Sequence, residues 1–166
     1  MDVRYPVAVP AKLTRIGLIS DTHNLLRPTA KLALAGVERI IHAGDICSAR
    51  VLEELRKIAP VVAVRGNNDR GAWASAIPMT QTITIEAVSI HIIHDLDELE
   101  HDSQGAGFHV VVFGHSHRPR VERREGILFV NPGSAGPRRF TLPISVGILE
   151  IAGGIVDAKL YTLNQQ

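Results

Sequence analysis

One cysteine, Cys47, in 166 residues leaves no intramolecular disulfide framework and points to a reducing compartment. It follows a Gly-Asp turn, where a small buried thiol is the plain reading and a place in a pocket wall the sharper one. No run approaches the roughly eighteen apolar residues that a membrane helix requires. The net charge is +1 and no basic block exceeds two residues, which removes the electrostatic footprint of a nucleic-acid binder but leaves a small nucleotide open as a substrate. Met1–Lys12 has no long apolar segment and contains Pro6 and Pro10. It therefore reads as part of an amino-terminal extension over residues 1–14 and not as a secretory signal. A cytoplasmic protein is expected. With no repeat, low-complexity tract or linker, the whole chain 1–166 is expected to form one domain.

What is present suits a folded α/β protein. The chain is 45% hydrophobic and 21% charged, an ordinary globular balance carried mostly by Val, Ile, Leu and Ala. Arg15–Ser20 reads as a buried strand, and Pro28 opens a helix that continues through Ala30–Ala35 to a stop at Gly36. Glu38–His42 is a second strand, Ser48 caps a helix over Ala49–Ala59, Pro60 ends it, and Val61–Val64 is a third strand. Strand-helix-strand-helix-strand is the pattern of a parallel sheet. The second half is richer in strands: Gln81–Glu86, Ser89–Ile93, Val110–Phe113, Val121–Arg124, Ile127–Val130, Ser145–Ile151 and Ile155–Leu163. Turns at Glu125-Gly126 and Gly153-Gly154 fit hairpins. Asp97–Gly107 is expected to hold one weak helix, and Gly71–Pro78 to be irregular. Helices on two outer faces would cover this mixed parallel and antiparallel arrangement.

Five short runs each place metal-binding side chains where a strand gives way to a loop: Asp21-Thr22-His23, Gly44-Asp45, Gly66-Asn67-Asn68-Asp69, His94-Asp95 and Gly114-His115-Ser116-His117. Ligand sites in open sheets gather at such carboxyl ends, and Gly44, Gly66 and Gly114 let the backbone turn beside an ion. Carboxylate, imidazole and amide donors without thiolate favour Mn, Fe, Zn or Ni over a sulfur-ligated structural zinc. Seven donors of this kind can hold two cations side by side, a device for in-line attack on phosphorus. A phosphate-ester hydrolase is the leading expectation.

The ordered set Asp-x-His, Gly-Asp, Gly-Asn-x-Asp, His, Gly-His-x-His resembles the calcineurin-like metallophosphoesterases. The closing Asn131-Pro132-Gly133-Ser134 is similar to that of the superfamily's small bacterial and archaeal phosphodiesterase branch. The resemblance runs from about Ile16 to Leu160. It implies a four-layer α/β/β/α sandwich with two mixed β-sheets, the metallo-dependent phosphatase fold. It implies two divalent cations, Mn2+ first, with Ni2+, Zn2+, Fe2+ or Co2+ as alternatives. Asp21, His23, Asp45 and His117 would hold one, and Asp45, Asn67, His94 and His115 the other, with Asp45 bridging and Asp45, Asn67 and His94 closest to catalysis. Two dications against two carboxylates leave roughly +2, and a water between them has its pKa drawn from 15.7 towards about 7, so that hydroxide attacks phosphorus. The expected substrate is a small phosphodiester, with phosphomonoesters as runner-up and a homodimer common among relatives. A eukaryotic relative with a degraded metal site serves as a protein-binding scaffold, and that is the competing class. A structural site for a single metal is the third.

Departures from the pattern matter. Many relatives carry histidine directly after Gly-Asn, and this chain has Asn68, an amide that cannot act as a general acid. Asp95-Leu96 follows His94 where relatives have Gly-His, which alters the surroundings of the ligand. Asp69 is read as orienting a ligand or tying its loop. Arg138 and Arg139 are candidates to receive a substrate phosphate, against a plainer reading as a solvated pair or subunit contact. Arg65 and Arg118, which flank ligand loops, are weighed the same way. Trp73 is a candidate lid or intersubunit plug, against the default of partial burial in its own domain. Asn131 could bond the ligand loops, and Gly133 could supply a conformation closed to other residues. His42, His91, His101 and His109 are read as structural or solvated.

Overall fold

The computed structural model describes residues 8–99 and 107–164. Among the described residues are ten strands, with three short helices between the first four: β1 (Thr14–Ile19), α1 (Pro28–Ala33), β2 (Arg39–His42), α2 (Ala49–Arg56), β3 (Val61–Ala63), α3 (Ala72–Ser75), β4 (Thr80–Ile85), β5 (Val88–Ile93), β6 (Val110–Val112), β7 (Arg120–Arg124), β8 (Ile127–Asn131), β9 (Ser145–Ala152) and β10 (Ile155–Thr162). They form two five-stranded mixed sheets, ordered β10-β9-β1-β2-β3 and β4-β5-β6-β8-β7. Each sheet has three parallel strands, β1-β2-β3 in one and β5-β6-β8 in the other, with antiparallel partners at the flanks. Among the described residues, no helix is long and apolar enough to cross a membrane.

The main core lies between the sheets, because alternate side chains of the parallel strands point inward from both. Ile16, Leu18 and Ile41 meet Ile90, Ile92, Val110, Val112, Leu128 and Val130 there, all essentially without solvent contact. The residues between them face outward: Ile19, Ile40, Val146 and Ile148 pack under α1 and α2 through Leu34, Val51, Leu52 and Leu55. Gly17 permits that approach, since a Cβ there would lie 2.7 Å from Leu34 Cδ2. On the other outer face Ile93, Val111, Phe113 and Phe129 are covered by Leu96, Leu99 and Phe108. The expected helix over Asp97–Gly107 appears as a 3-10 turn at Leu96–Glu98, and residues 100–106, with His101, lie outside the described residues. Among the described residues, that turn is the only helical element found on this face.

Local chemistry explains most element ends. Ser48 Oγ accepts from the Arg50 N–H and caps α2. The regular helix runs to Arg56, and a last turn, in which the Ala59 N–H still donates to the Leu55 carbonyl, ends before Pro60, which disfavours helical backbone in the residue before it. All three tight hairpins have two central residues at positive φ: Glu86-Ala87, Glu125-Gly126 and Gly153-Gly154. Only the first lacks glycine. It is tied down by the Thr14 hydroxyl, which donates to Glu86. The Gly71–Pro78 stretch contains α3, whose half-buried Trp73 packs with the outer cluster under α1 and α2.

Candidate metal centre

The parallel strands of both sheets end at one edge, and the five donor runs sit there. Asp21 follows β1, Asp45 follows β2, Asn67 follows β3, His94 follows β5, and His115 and His117 follow β6. Asp21, His23, Asp45, His115 and His117 all have positive φ, between 44° and 67°. Such backbone is costly for residues with a Cβ and persists only where the surroundings dictate it. Here they do. The Asp21 and His23 N–H groups donate to the Gly44 and Asp45 carbonyls, and Ser134 Oγ donates to the Asp21 carbonyl. Asn131 Nδ2 donates to the Gly114 carbonyl at 2.9 Å.

Space is rationed just as tightly. A Cβ on Gly66 would stand 2.2 Å from Asp45 Oδ1, and one on Gly114 2.1 Å from Ser20 Oγ and 2.8 Å from Asp21 Oδ2. These two glycines are needed for close approach. Gly44, at φ +98°, and Gly133, at φ +77°, are also in conformations that other residues rarely adopt.

Three donors converge at one end. Asp21 is wholly buried and its Oδ1 has no hydrogen-bond partner. Around that oxygen stand His117 Nε2 at 3.3 Å, His23 Nε2 at 3.9 Å and His94 Nε2 at 4.0 Å. The His23 and His117 Nε2 atoms are 3.3 Å apart. Asp21, His23 and His117 form one group able to hold a cation, and Asp21, Asp45 and His94 form a second. Asp45 Oδ2 lies 3.7 Å from His23 Nε2 and 3.5 Å from His94 Nε2, between the two ends. Asn67 is exposed, with Oδ1 3.2 Å from His94 Nε2. His115 belongs to neither group. Its side chain is 48% exposed and its Nε2 lies 3.6 Å from Asp95 Oδ2.

A buried carboxylate oxygen without a donor is expensive, and a ring of imidazole nitrogens turned towards it offers no better than long contacts. A divalent cation resolves both, and the oxygen and nitrogen donors suit one. Sulfur takes no such part: Cys47 Sγ lies 3.6 Å from His23 Nδ1, on the nitrogen facing away from the carboxylates. Burial, then the charges of Asp69, Asp45 and Asp21, push that thiol up to about 11, so it stays protonated.

The electrostatics separate the imidazoles. Burial pushes His23 below its ordinary value, against the pull of Asp45 and Asp21. Burial also opposes the charge on His94, but the Asp45 hydrogen bond, the two carboxylates and the Ala43 carbonyl outweigh it and raise its pKa. Burial raises Asp45 too, yet His94 and Asn68 prevail and hold its carboxyl well below the usual range. His94 Nδ1 lies 2.7 Å from the Ala43 carbonyl, so it carries the proton and Nε2 is left to face the centre.

Other candidates are tied into the frame. The Asn68 N–H and Nδ2 donate to the two oxygens of Asp45 at 2.8 and 2.7 Å, so this amide grips a carboxylate. Asp69 accepts from Cys47 and Gly66, joining the loops after β2 and β3. His42 is fully buried, accepts from the Gly44 N–H and pairs with Thr22 Oγ1; burial depresses it to about 3, so it is a neutral brace. His91 pairs with Thr82 and stacks on Phe108, and His109 accepts from the Ser89 N–H. Arg139 is the cation whose charge reaches His23, whereas Arg138 lines a separate cleft with Thr141, Pro143 and Leu163. Neither the Thr22–His42 brace nor the role of Arg27, whose guanidinium donates to the Gly136 carbonyl, is signalled by a local pattern. Both depend on residues that meet only in three dimensions.

Residues 14–154 match the profile of the calcineurin-like phosphoesterase superfamily domain. A probable metallophosphoesterase of Methanothermobacter thermautotrophicus is 37% identical over 157 residues, covering 87% of this chain and 90% of that protein. A phosphodiesterase of Methanocaldococcus jannaschii is 30% identical over 156 residues, covering 82% of this chain and 92% of its own length. Among solved structures, one described as a novel archaeal phosphodiesterase superposes with a TM-score of 0.74 at 27% identity, over 89% of this chain and all of that one.

Proposed function

The chain belongs to the calcineurin-like phosphoesterase superfamily and is a metal-dependent phosphoesterase, and from that premise we propose that it hydrolyses small phosphodiesters at a centre of two divalent cations. The observation that carries the two-cation reading is the pair of donor groups sharing the buried, unpartnered Asp21. Asp21, His23 and His117 are assigned to one cation and Asn67, His94 and His115 to the other, with Asp45 between them. Mn2+ is the expected ion; Ni2+, Zn2+, Fe2+ and Co2+ suit the same donors. When bound, such ions supply positive charge for a phosphate and lower the pKa of solvent water enough to make it a nucleophile at neutral pH.

The protein's own residues determine the rest. Asn68 holds both oxygens of Asp45, fixing the carboxylate between the two ends. His94 is steered by the Ala43 carbonyl so that Nε2 faces inward. Arg139, whose charge reaches His23, adds a cation that favours an anionic substrate near that end. No imidazole stands at position 68 to give a proton to the departing oxygen, so good leaving groups should be favoured.

The test compares bis(4-nitrophenyl) phosphate with 4-nitrophenyl phosphate on Mn2+-loaded protein, with Asp45→Asn as control. The diester is expected to react faster, and rates across aryl diesters to fall steeply as leaving-group pKa rises. A faster monoester would make this a phosphomonoesterase. Tight Mn2+ binding without turnover of either ester, in Mn2+, Ni2+, Co2+ or Zn2+, would favour the scaffold reading.

A further inference from the structure

Each buried or half-buried imidazole of the centre other than His117 has a neighbour on the nitrogen that faces away from the carboxylates. His94 uses the Ala43 carbonyl and His23 meets the Cys47 thiol. His115 is different. Its backbone is fixed by φ +67° and by its N–H donating to Asp21 Oδ2 at 3.2 Å, but its ring is half exposed and lies edge-on to His94 with centroids 5.3 Å apart. No hydrogen bond to that ring is found among the described residues. The acceptor within reach is Asp95 Oδ2, 3.6 Å from Nε2, just beyond bonding length. The other Asp95 oxygen is already engaged, accepting from the Asp97 N–H at the start of the 3-10 turn. That bond fixes the carboxylate plane and leaves Oδ2 turned to the imidazole.

We infer that Asp95 is a positioning residue: its free oxygen holds the His115 ring by Nε2 and leaves Nδ1 as the atom offered to the second cation. The inference rests on the two-cation reading above. It gives His115 the opposite orientation from His23, His94 and His117, whose Nε2 atoms face the carboxylates. Carboxylates that accept from a ligand's far nitrogen fix its tautomer and strengthen it as a donor. The ring is otherwise solvated, so without Asp95 it would lose its preferred direction.

Two variants separate this role from the capping of the turn. Asp95→Ser keeps a capping oxygen but cannot reach the imidazole, while Asp95→Asn keeps the cap and the reach but turns an N–H donor, not an acceptor, to the ring. Mn2+ titration calorimetry on the full chain should find two equivalents in the wild type. Asp95→Ser should keep the first and weaken the second by about 10- to 100-fold, and Asp95→Asn, which keeps the cap without the acceptor, should weaken it too. In the metal-free protein, ring 15N shifts should place the His115 proton on Nε2, and Asp95→Ser should abolish that preference. An unchanged second equivalent in Asp95→Ser overturns the inference. So does a lost second equivalent with the His115 tautomer unaltered, which would make Asp95 a direct ligand. A wild type that binds fewer than two equivalents overturns the two-cation reading instead, and the metal-free tautomer measurement still decides the role of Asp95.

Discussion

At one end of the centre Asp21, His23 and His117 bring three donor atoms together beneath the surface, whereas at the other Asn67 and His115 stand in solvent and only His94 is buried. The first end is built by backbone: positive φ at all three donors, carbonyls that receive their loop, and a glycine with no room for a methyl group. The second depends on side chains held by other side chains, Asn67 against His94 and His115 beside Asp95. A pocket fixed by main chain is preorganised and pays little on binding; one fixed by rotamers must order them first. The two ends should therefore bind metal unequally, the buried one more tightly.

The sharpest way to break this comparison is to remove one donor from each end. Asp21→Ala should abolish tight binding of the first Mn2+ and lower kcat/KM by on the order of 10³-fold, several kcal/mol of lost charge stabilisation. Asn67→Ala should spare the first equivalent and cost about tenfold less. Calorimetry and ester hydrolysis measure both, and equal losses would show that the ends act as one.

A smaller effect is expected from Gly66→Ala, because the new methyl must displace Asp45 Oδ1, which lies 2.2 Å away. Overpacking of this kind costs about 1–3 kcal/mol. It should lower Tm by several degrees and weaken both equivalents, since Asp45 lies between them. Gly114→Ala should fall harder on the first, through Asp21 Oδ2.

Acidity should separate the ends most gently. The His94 pKa is raised and the His23 pKa lowered, so protons compete with metal at His94 first. As pH falls through the raised His94 value the second equivalent should weaken, while the first persists to lower pH; titrations from pH 8 to 5 would show the order. Metal-free stability has its own acid limb. His42 takes its proton near 6.5 when unfolded and near 3 when folded, so this term favours folding fully above 6.5 and is lost as pH falls towards 3. His42→Gln should flatten that limb in urea melts.

Much of this was legible in the chain because strand-end chemistry is local. Apolar runs located β1, β2 and β3, and the donor types and their order picked out the edge where they end. Which donors meet was not legible, since facing requires a second sheet whose register no local pattern encodes. Nor were contacts between neighbouring loops of one sheet, Cys47 against His23 and Asp95 beside His115, because they depend on how each loop bends. α3 was missed because four residues carry too little periodicity, whereas the spacing of β4 and β5 suggested their hairpin although its Glu86-Ala87 turn lacks the usual glycine.

The antiparallel pairing of β9 with β1, together with the Ser134 hydroxyl on the Asp21 carbonyl, has a consequence for biosynthesis. A ribosome that has released only the first hundred or so residues has delivered Asp21, Asp45 and Asn67 but neither the strand nor the clasp that shapes their opening loop. Contacts this distant in sequence form slowly and late. Metal acquisition should therefore wait until β9 has emerged, and a nascent chain stalled before it should bind cations no better than an unstructured peptide.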